Sequence, residues 1–252
     1  MMGKTHALSG LCAGLALAPM VVDTVAASVV VAATTAGFAL LPDLDHPGAR
    51  ASKLLGPVTG VLSTGLRAGS RWLYARTKGP RDERHSGEHR HATHTVLFAL
   101  LVGTLVAVGS WGLGTWFVLG TVLLGTLLAG NALGDWVLPL VGIAGLAVWG
   151  SAGGDLGGDL AGIGGWLGIA AGTGCVVHCL GDALTLSGCP FLFPLPIAGE
   201  TWYEIRPPRF LRFRTGGAVE LRIVFPLFVL LAILLLPGAW SSAVDAVPVV
   251  AA

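Results

Sequence analysis

The sequence predicts an all-α integral membrane helical bundle of about six or seven helices with cytoplasmic-side polar loops, on three observations. The 252 residues are 54% hydrophobic and only 12% charged, against about 25% charged in a typical soluble domain. Mean hydropathy is +0.77, and the apolar residues gather into separate runs divided by polar segments. A surface so poor in charge needs a solvent other than water, and bilayer hydrocarbon supplies it. The 38 glycines fit the same environment, where small residues let helix backbones approach closely.

The apolar runs fall at 7–22, 24–41, 95–110, 113–130, 136–149, 162–177 and 221–237. Pro19, with Asp23 nearby, closes the first, Pro42 the second and Pro237 the last, because proline lacks the donor a helix needs. Several runs are shorter than the roughly 20 residues of a full span, so they are read as tilted, packed inside the bundle or partly inserted. The apolar N-terminus reads as a retained helix rather than a signal peptide. Within the polar stretch 42–94, Leu54 to Tyr74 reads as an amphipathic interfacial helix, with Arg67 and Arg71 one turn apart beside Trp72. Residues 76–91 must lie in water, 150–161 form a Gly-rich loop, and 183–220 make a second aqueous excursion. The whole chain, 1–252, is read as one domain. Trp72, Trp111, Trp136, Trp149 and Trp202 read as interfacial anchors. Cys12, Cys175, Cys179 and Cys189 read as buried free thiols.

Alternating the runs across a bilayer puts all 15 Lys and Arg on one side. The other side keeps only acids: Asp23, Asp155, Asp159 and Asp245. By the positive-inside rule the basic side is cytoplasmic, which predicts a multi-pass inner-membrane protein. The net charge of +1 gives no ground for a nucleic-acid partner. The basic run 76–90 is explained by membrane-lipid headgroups. Gly153, Gly154, Gly157 and Gly158 follow no strand and carry no Lys-Ser pair, which argues against a phosphate loop.

The same threading brings every histidine to the basic side: His6, His46, His85, His89, His91, His94 and His178, with Asp43, Asp45, Asp135 and Asp182. Ionisable groups at membrane helix ends are costly and are kept with partners or for function. His178 and Asp182 are i,i+4, so on a helix they share one face and can hold a metal or simply cap the helix end. Asp43 and Asp45 flank one leucine and point the same way if the backbone is extended. In His89-Arg-His-Ala-Thr-His94, His91 and His94 are i,i+3, while His89 and His94 meet only across a turn or helix start. His6 alone is an unremarkable interfacial side chain. Convergence changes that reading. Four distant segments bring carboxylates and imidazoles to one face of one bundle, a donor set that suits zinc, manganese or iron.

The ordered motifs LLPDLDH (40–46), HRHATHT (89–95) and HCLGDALTLSGCPFLFP (178–194), preceded by His6, resemble the YdjM-like family of bacterial inner-membrane proteins, described as metal-dependent hydrolases. That family is in turn distantly similar to zinc-dependent phospholipases C and related single-strand nucleases, all-helical enzymes with a trinuclear zinc cluster. The resemblance implies that His6, Asp43, Asp45, His89, His94, His178 and Asp182 hold two or three divalent metals, zinc first. Asp45, His94 and Arg90 would serve hydrolysis of a phosphoester or lipid headgroup. The family's H-R-G-x-T-H-S pattern maps onto His89, Arg90, Thr93, His94 and Thr95, and departs at His91, where glycine is usual. That puts His91 in doubt and leaves it as an extra candidate ligand. Glu220 matches a stretch near the family's end and is a weaker candidate. Arg90 stabilises developing negative charge on this reading, or pairs with lipid headgroups. Two other readings stay open at this point: an ion or metal transporter, and a non-catalytic membrane protein with structural metal.

Overall fold

The computed structural model describes residues 1–151 and 156–236. Asp155, Asp245, Pro237, Gly153 and Gly154, and the side chains of Trp149 and Asp159, lie outside what it describes. The described residues form eight α-helices: α1 (Gly3–Leu17), α2 (Val25–Phe38), α3 (Pro57–Thr77), α4 (Val96–Leu113), α5 (Thr115–Leu133), α6 (Val137–Ser151), α7 (Leu156–Ala183) and α8 (Phe225–Leu234). The apolar runs are seven of these, and the amphipathic stretch is α3. Of the Gly-rich loop expected at 150–161, residues 150–151 belong to α6 and 156–161 to α7, and 152–155 lie outside the described residues.

Four segments are long and apolar enough to cross a membrane: Val25–Asp45, Val96–Leu113, Thr115–Leu133 and Gly164–Ala183. The first is the central one, packed on by α1, α5, α6 and α7. Its window is 78% buried against 22% for Val96–Leu113, so α4 presents most of its leucines outward, as a lipid-facing helix does. Local chemistry sets the starts. Thr24 accepts from Ala27 N and Thr95 from Phe98 N, each relieving an orphan donor of the first turn. Central packing is close enough to require glycine: a Cβ on Gly37 of α2 would sit 1.9 Å from the Gly125 carbonyl oxygen of α5.

α3 is inverted relative to a helix on a soluble core. Its inward face carries Thr59, Ser63, Ser70 and Tyr74, while Val58, Val61, Leu62 and Trp72 are exposed. It packs against the turns that carry residues 42–45, 51–53 and 92–94. Trp72, Trp111 and Trp136 are exposed, as interfacial anchors should be, but Trp202 is buried. It stacks on Phe193 at 3.8 Å and donates its Nε1–H to Thr77 Oγ1. The aqueous excursion therefore has a small aromatic core of its own. All four cysteines are buried.

Candidate metal centre

One end of the bundle gathers the polar residues. α1 contributes His6 from its first turns. Pro42 opens a 3-10 turn, Pro42–Asp45, at the end of the α2 span. That turn corrects the extended backbone expected for Asp43 and Asp45. A 3-10 helix has about three residues per turn, so positions i and i+2 diverge. Asp45 points inward and is fully buried, whereas Asp43 is 19% exposed. A second 3-10 turn, Ala92–His94, leads into α4 and brings in His94, with His89 and Arg90 just before it. α7 runs past its apolar run to Ala183, which puts His178 and Asp182 on one helical face.

The seven expected ligands fall into two neighbouring groups: Asp43, Asp45, His89 and His94, and His6, His178 and Asp182. The groups touch where His94 Nε2 and His178 Nε2 lie 3.1 Å apart. Asp43 Oδ1 is 3.8 Å from both nitrogens, and Asp182 Oδ2 is 3.6 and 3.7 Å from them. The His6 ring stacks on His178 at 3.8 Å, with its Nε2 3.1 Å from Asp182 Oδ1. His89 and His94 meet edge-on across the helix start, centroids 5.3 Å apart.

Hydrogen bonds set the tautomers. His178 Nδ1 lies 2.7 Å from the Ala39 carbonyl, which only accepts, so Nδ1 carries a proton and the neutral ring has its lone pair on Nε2. Thr93 donates its single hydroxyl proton to Asp45 Oδ2 at 2.6 Å. The 2.9 Å contact between Thr93 Oγ1 and His94 Nδ1 must then be donated by the imidazole, which leaves His94 Nε2 bare as well. With both rings neutral, two lone pairs face each other across 3.1 Å. Burial, and next the His178 ring, push the His94 pKa well below the usual imidazole range. The third imidazole is oriented in the same way: His89 Nδ1 donates to Asp45 Oδ1 at 2.6 Å.

Arg90 has a positive φ of 58°, a conformation uncommon outside glycine and asparagine. Its amide donates to Asp45 Oδ2, and its guanidinium reaches Asp182 through Nη2 and Nε at 3.1 Å and Thr185 Oγ1 at 3.1 Å. The N-terminal amine of Met1 also bonds Asp182. His6 Nδ1 is buried without a hydrogen-bond partner, as is Asp182 Oδ2 apart from its ion-pair contact with Arg90. A cavity of about 510 Å³ opens onto the centre, lined by Asp43, His89 and Arg90 together with Lys4, Arg50 and Asn131.

Other candidates go elsewhere. His91 turns away, its ring edge-on to Tyr74 at 4.6 Å and its Nδ1 on the His89 carbonyl. Glu220 is buried in a π-helical turn, Glu220–Val224, where it accepts from the Met2 and Gly216 amides. It anchors the start of α1 to the start of α8. Asp135 is exposed between α5 and α6. Glu83, His85 and Glu204 form a third His-acid group, but at the surface, where Arg206 pairs with both acids. Thr93 had a place in the sequence pattern but no role assigned from it. The Ala39 carbonyl had no sequence signal, because any residue supplies one.

No curated protein and no solved structure matches the chain. The family model described as YdjM inner membrane protein matches residues 1–243. With nearly the full length matched, and with His6, the Pro42–Asp45 turn, the His89–His94 segment and the His178/Asp182 face converging on one centre, this chain belongs to the YdjM inner membrane protein family.

Proposed function

We propose that the chain is a membrane-bound, metal-dependent hydrolase acting on a phosphoester at the cytoplasmic face of the inner membrane. The observation that carries this reading is the pair of bare nitrogens, His94 Nε2 and His178 Nε2, buried 3.1 Å apart. Two such lone pairs repel unless a cation lies against them both. The orphaned His6 Nδ1 and the surrounding carboxylates supply further donors, and a mixed imidazole–carboxylate set suits zinc, with manganese or iron as alternatives. His6, Asp43, Asp45, His89, His94, His178 and Asp182 would hold two or three ions.

Bound divalent metal supplies a nucleophile at neutral pH and neutralises charge on the reacting phosphoryl group. The chain's own residues do the rest. Asp45 and Thr93 fix the orientations of His89 and His94. Arg90 is committed to Asp182 and Thr185, so it positions a ligand as well as lining the cavity. Asp43 is the ligand candidate that faces the cavity from the Pro42–Asp45 turn. Lys4 and Arg50 have no carboxylate partner among the described residues and line the cavity, where they would draw in an anionic substrate. The concentration of Lys and Arg on the site's end of the helices supports a cytoplasmic location.

The test is elemental analysis of the purified protein followed by a panel of phosphoesters and carboxylic esters. Zinc, manganese or iron at two or more per chain, together with phosphoester turnover, is the expected result. Asp45→Ala and His178→Ala should remove metal and turnover while keeping the helical circular dichroism. A wild-type protein that is metal-free and inert after zinc reconstitution overturns the reading.

A further inference from the structure

A second polar pocket lies on the other side of the 46–53 loop. It has a volume of about 320 Å³ and is lined by Pro47, Ser52, Lys53, Ser63, Thr64 and Arg67. Two of its polar atoms are buried without a hydrogen-bond partner, Ser63 Oγ and Arg67 Nε. Ser63 is only 3% exposed, so bulk water does not relieve its hydroxyl. Arg67 reaches Thr64 Oγ1 at 3.5 Å through Nη2. Neither Arg67 nor Lys53 has a carboxylate partner among the described residues. A Cβ built on Gly60, which also lines the pocket, would meet nothing within 4 Å.

Two cations, an unsatisfied guanidinium N–H and a buried hydroxyl facing one space form a donor-rich set. A tetrahedral oxyanion accepts from all of them at once, and guanidinium is the donor best matched to it. The helical phase of α3 says from which side such an anion comes. At about 100° per residue, Gly60, Ser63, Thr64 and Arg67 share one flank, while the exposed Val58, Val61 and Leu62 lie roughly 160° away. If the apolar stripe meets lipid, the pocket opens away from it. We propose that this pocket binds a phosphate group carried by a water-soluble molecule, at a site separate from the metal centre.

The loop between the two sites gives the pocket a context. His46, Gly48, Arg50 and Ala51 wall the cavity at the metal centre, while Pro47, Ser52 and Lys53 wall this pocket. The proposal stands whether or not the chain is a hydrolase, and its test is arranged to be independent. Detergent-purified, chelator-treated protein is titrated calorimetrically with inorganic phosphate, so that phosphate on bound metal does not contribute. One phosphate per chain is expected. Arg67→Gln and Lys53→Gln should each weaken it about tenfold, the loss of one charge-assisted hydrogen bond. Ser63→Ala should weaken it severalfold, while Arg76→Gln, one charge removed from the same helix outside the pocket, should change it less than about twofold. Arg67→Lys keeps the charge but loses Nε, and should remain weakened with the helical signal intact. Absence of phosphate binding, or binding indifferent to Arg67 and Lys53, overturns the site. Displacement of phosphate by phosphatidylglycerol in micelles overturns the water-soluble assignment in favour of a lipid headgroup.

Discussion

Thr93→Val tests the tautomer argument directly. Valine keeps the shape of threonine but has no hydroxyl, and at 2% exposure no bulk water replaces it. The substitution removes a 2.6 Å hydrogen bond to the buried Asp45 carboxylate and the acceptor for His94 Nδ1–H. A hydrogen bond to a charged group contributes about 1.5–3 kcal/mol. At about 1.4 kcal/mol per factor of ten, that is a loss of about 10- to 100-fold in metal affinity, the range seen when residues that orient metal ligands are changed. Competition for zinc against a chromophoric chelator measures it, and Thr93→Ser, which restores the hydroxyl, should recover most of the affinity. A Thr93→Val protein that holds zinc within about twofold of wild type, at the same stoichiometry, would refute the claim that this hydroxyl aims His94 Nε2 at the cation.

Chelation should lower the melting temperature and zinc should restore it, because metal at about a hundred times its dissociation constant adds about 2.7 kcal/mol to the folded state; a thermal shift assay reads this. Gly37→Val should destabilise the bundle by about 1–3 kcal/mol or more. Its new side chain meets the Gly125 backbone, and a shift of α2 away from α5 would move the adjoining Ala39 carbonyl that holds His178. Denaturation and zinc stoichiometry should fall together in that variant. Arg84 is exposed in the long polar segment, so Arg84→Cys in intact cells should resist a membrane-impermeant thiol reagent and react once the inner membrane is opened. Labelling without permeabilisation would overturn the proposed sidedness.

Much of this was legible because the bilayer imposes strong rules. Charge-poor runs bounded by Pro19 and Pro42 could hardly be anything but helices, and alternating them fixed which polar segments share an end. That route brought the seven candidate ligands to one end together with His46, His85, His91 and Asp135, and the family resemblance picked out the seven. Backbone geometry at the turns was not. Asp43-Leu-Asp45 looks the same whether extended or 3-10, and the choice is made by Pro42 at the first position of the turn and by packing against α3. Trp202 was misread because a tryptophan near a membrane boundary and one in a small aromatic cluster have the same local sequence. His91 was ambiguous because its fate depends on Tyr74 and Trp202, both distant in the chain. Helix α3 was recognised as amphipathic, but its polar side was not seen to be the buried one. Contacts distant in the chain explain that, such as Ser70 with Gly87 and Ala92 and Tyr74 with the Glu83 carbonyl.

The distinction between hydrolysis and transport turns on what lies beyond the centre. Three carboxylates, Asp43, Asp45 and Asp182, face one guanidinium and one amine, so with neutral imidazoles the centre keeps a negative charge that favours cations. A transporter would continue that polarity along the span, usually with ionisable residues or unwound backbone near mid-membrane. Below the centre an apolar cluster fills part of the core: Phe38, Ala99, Val102, Val106, Val118, Leu167 and Ala171, with no ionisable side chain among them. The hydroxyls at that depth in α2, Thr34 and Thr35, are spent on carbonyls of their own helix, Val30 and Val31. An ion leaving His94 and His178 in that direction loses its ligands to hydrocarbon, at a cost of several kcal/mol or more. Proteoliposomes loaded with a zinc-sensitive dye should therefore show no protein-dependent zinc flux, with or without a pH gradient. Flux abolished by His178→Ala would mean that the ligands serve a pathway, and the hydrolase proposal would have to be abandoned.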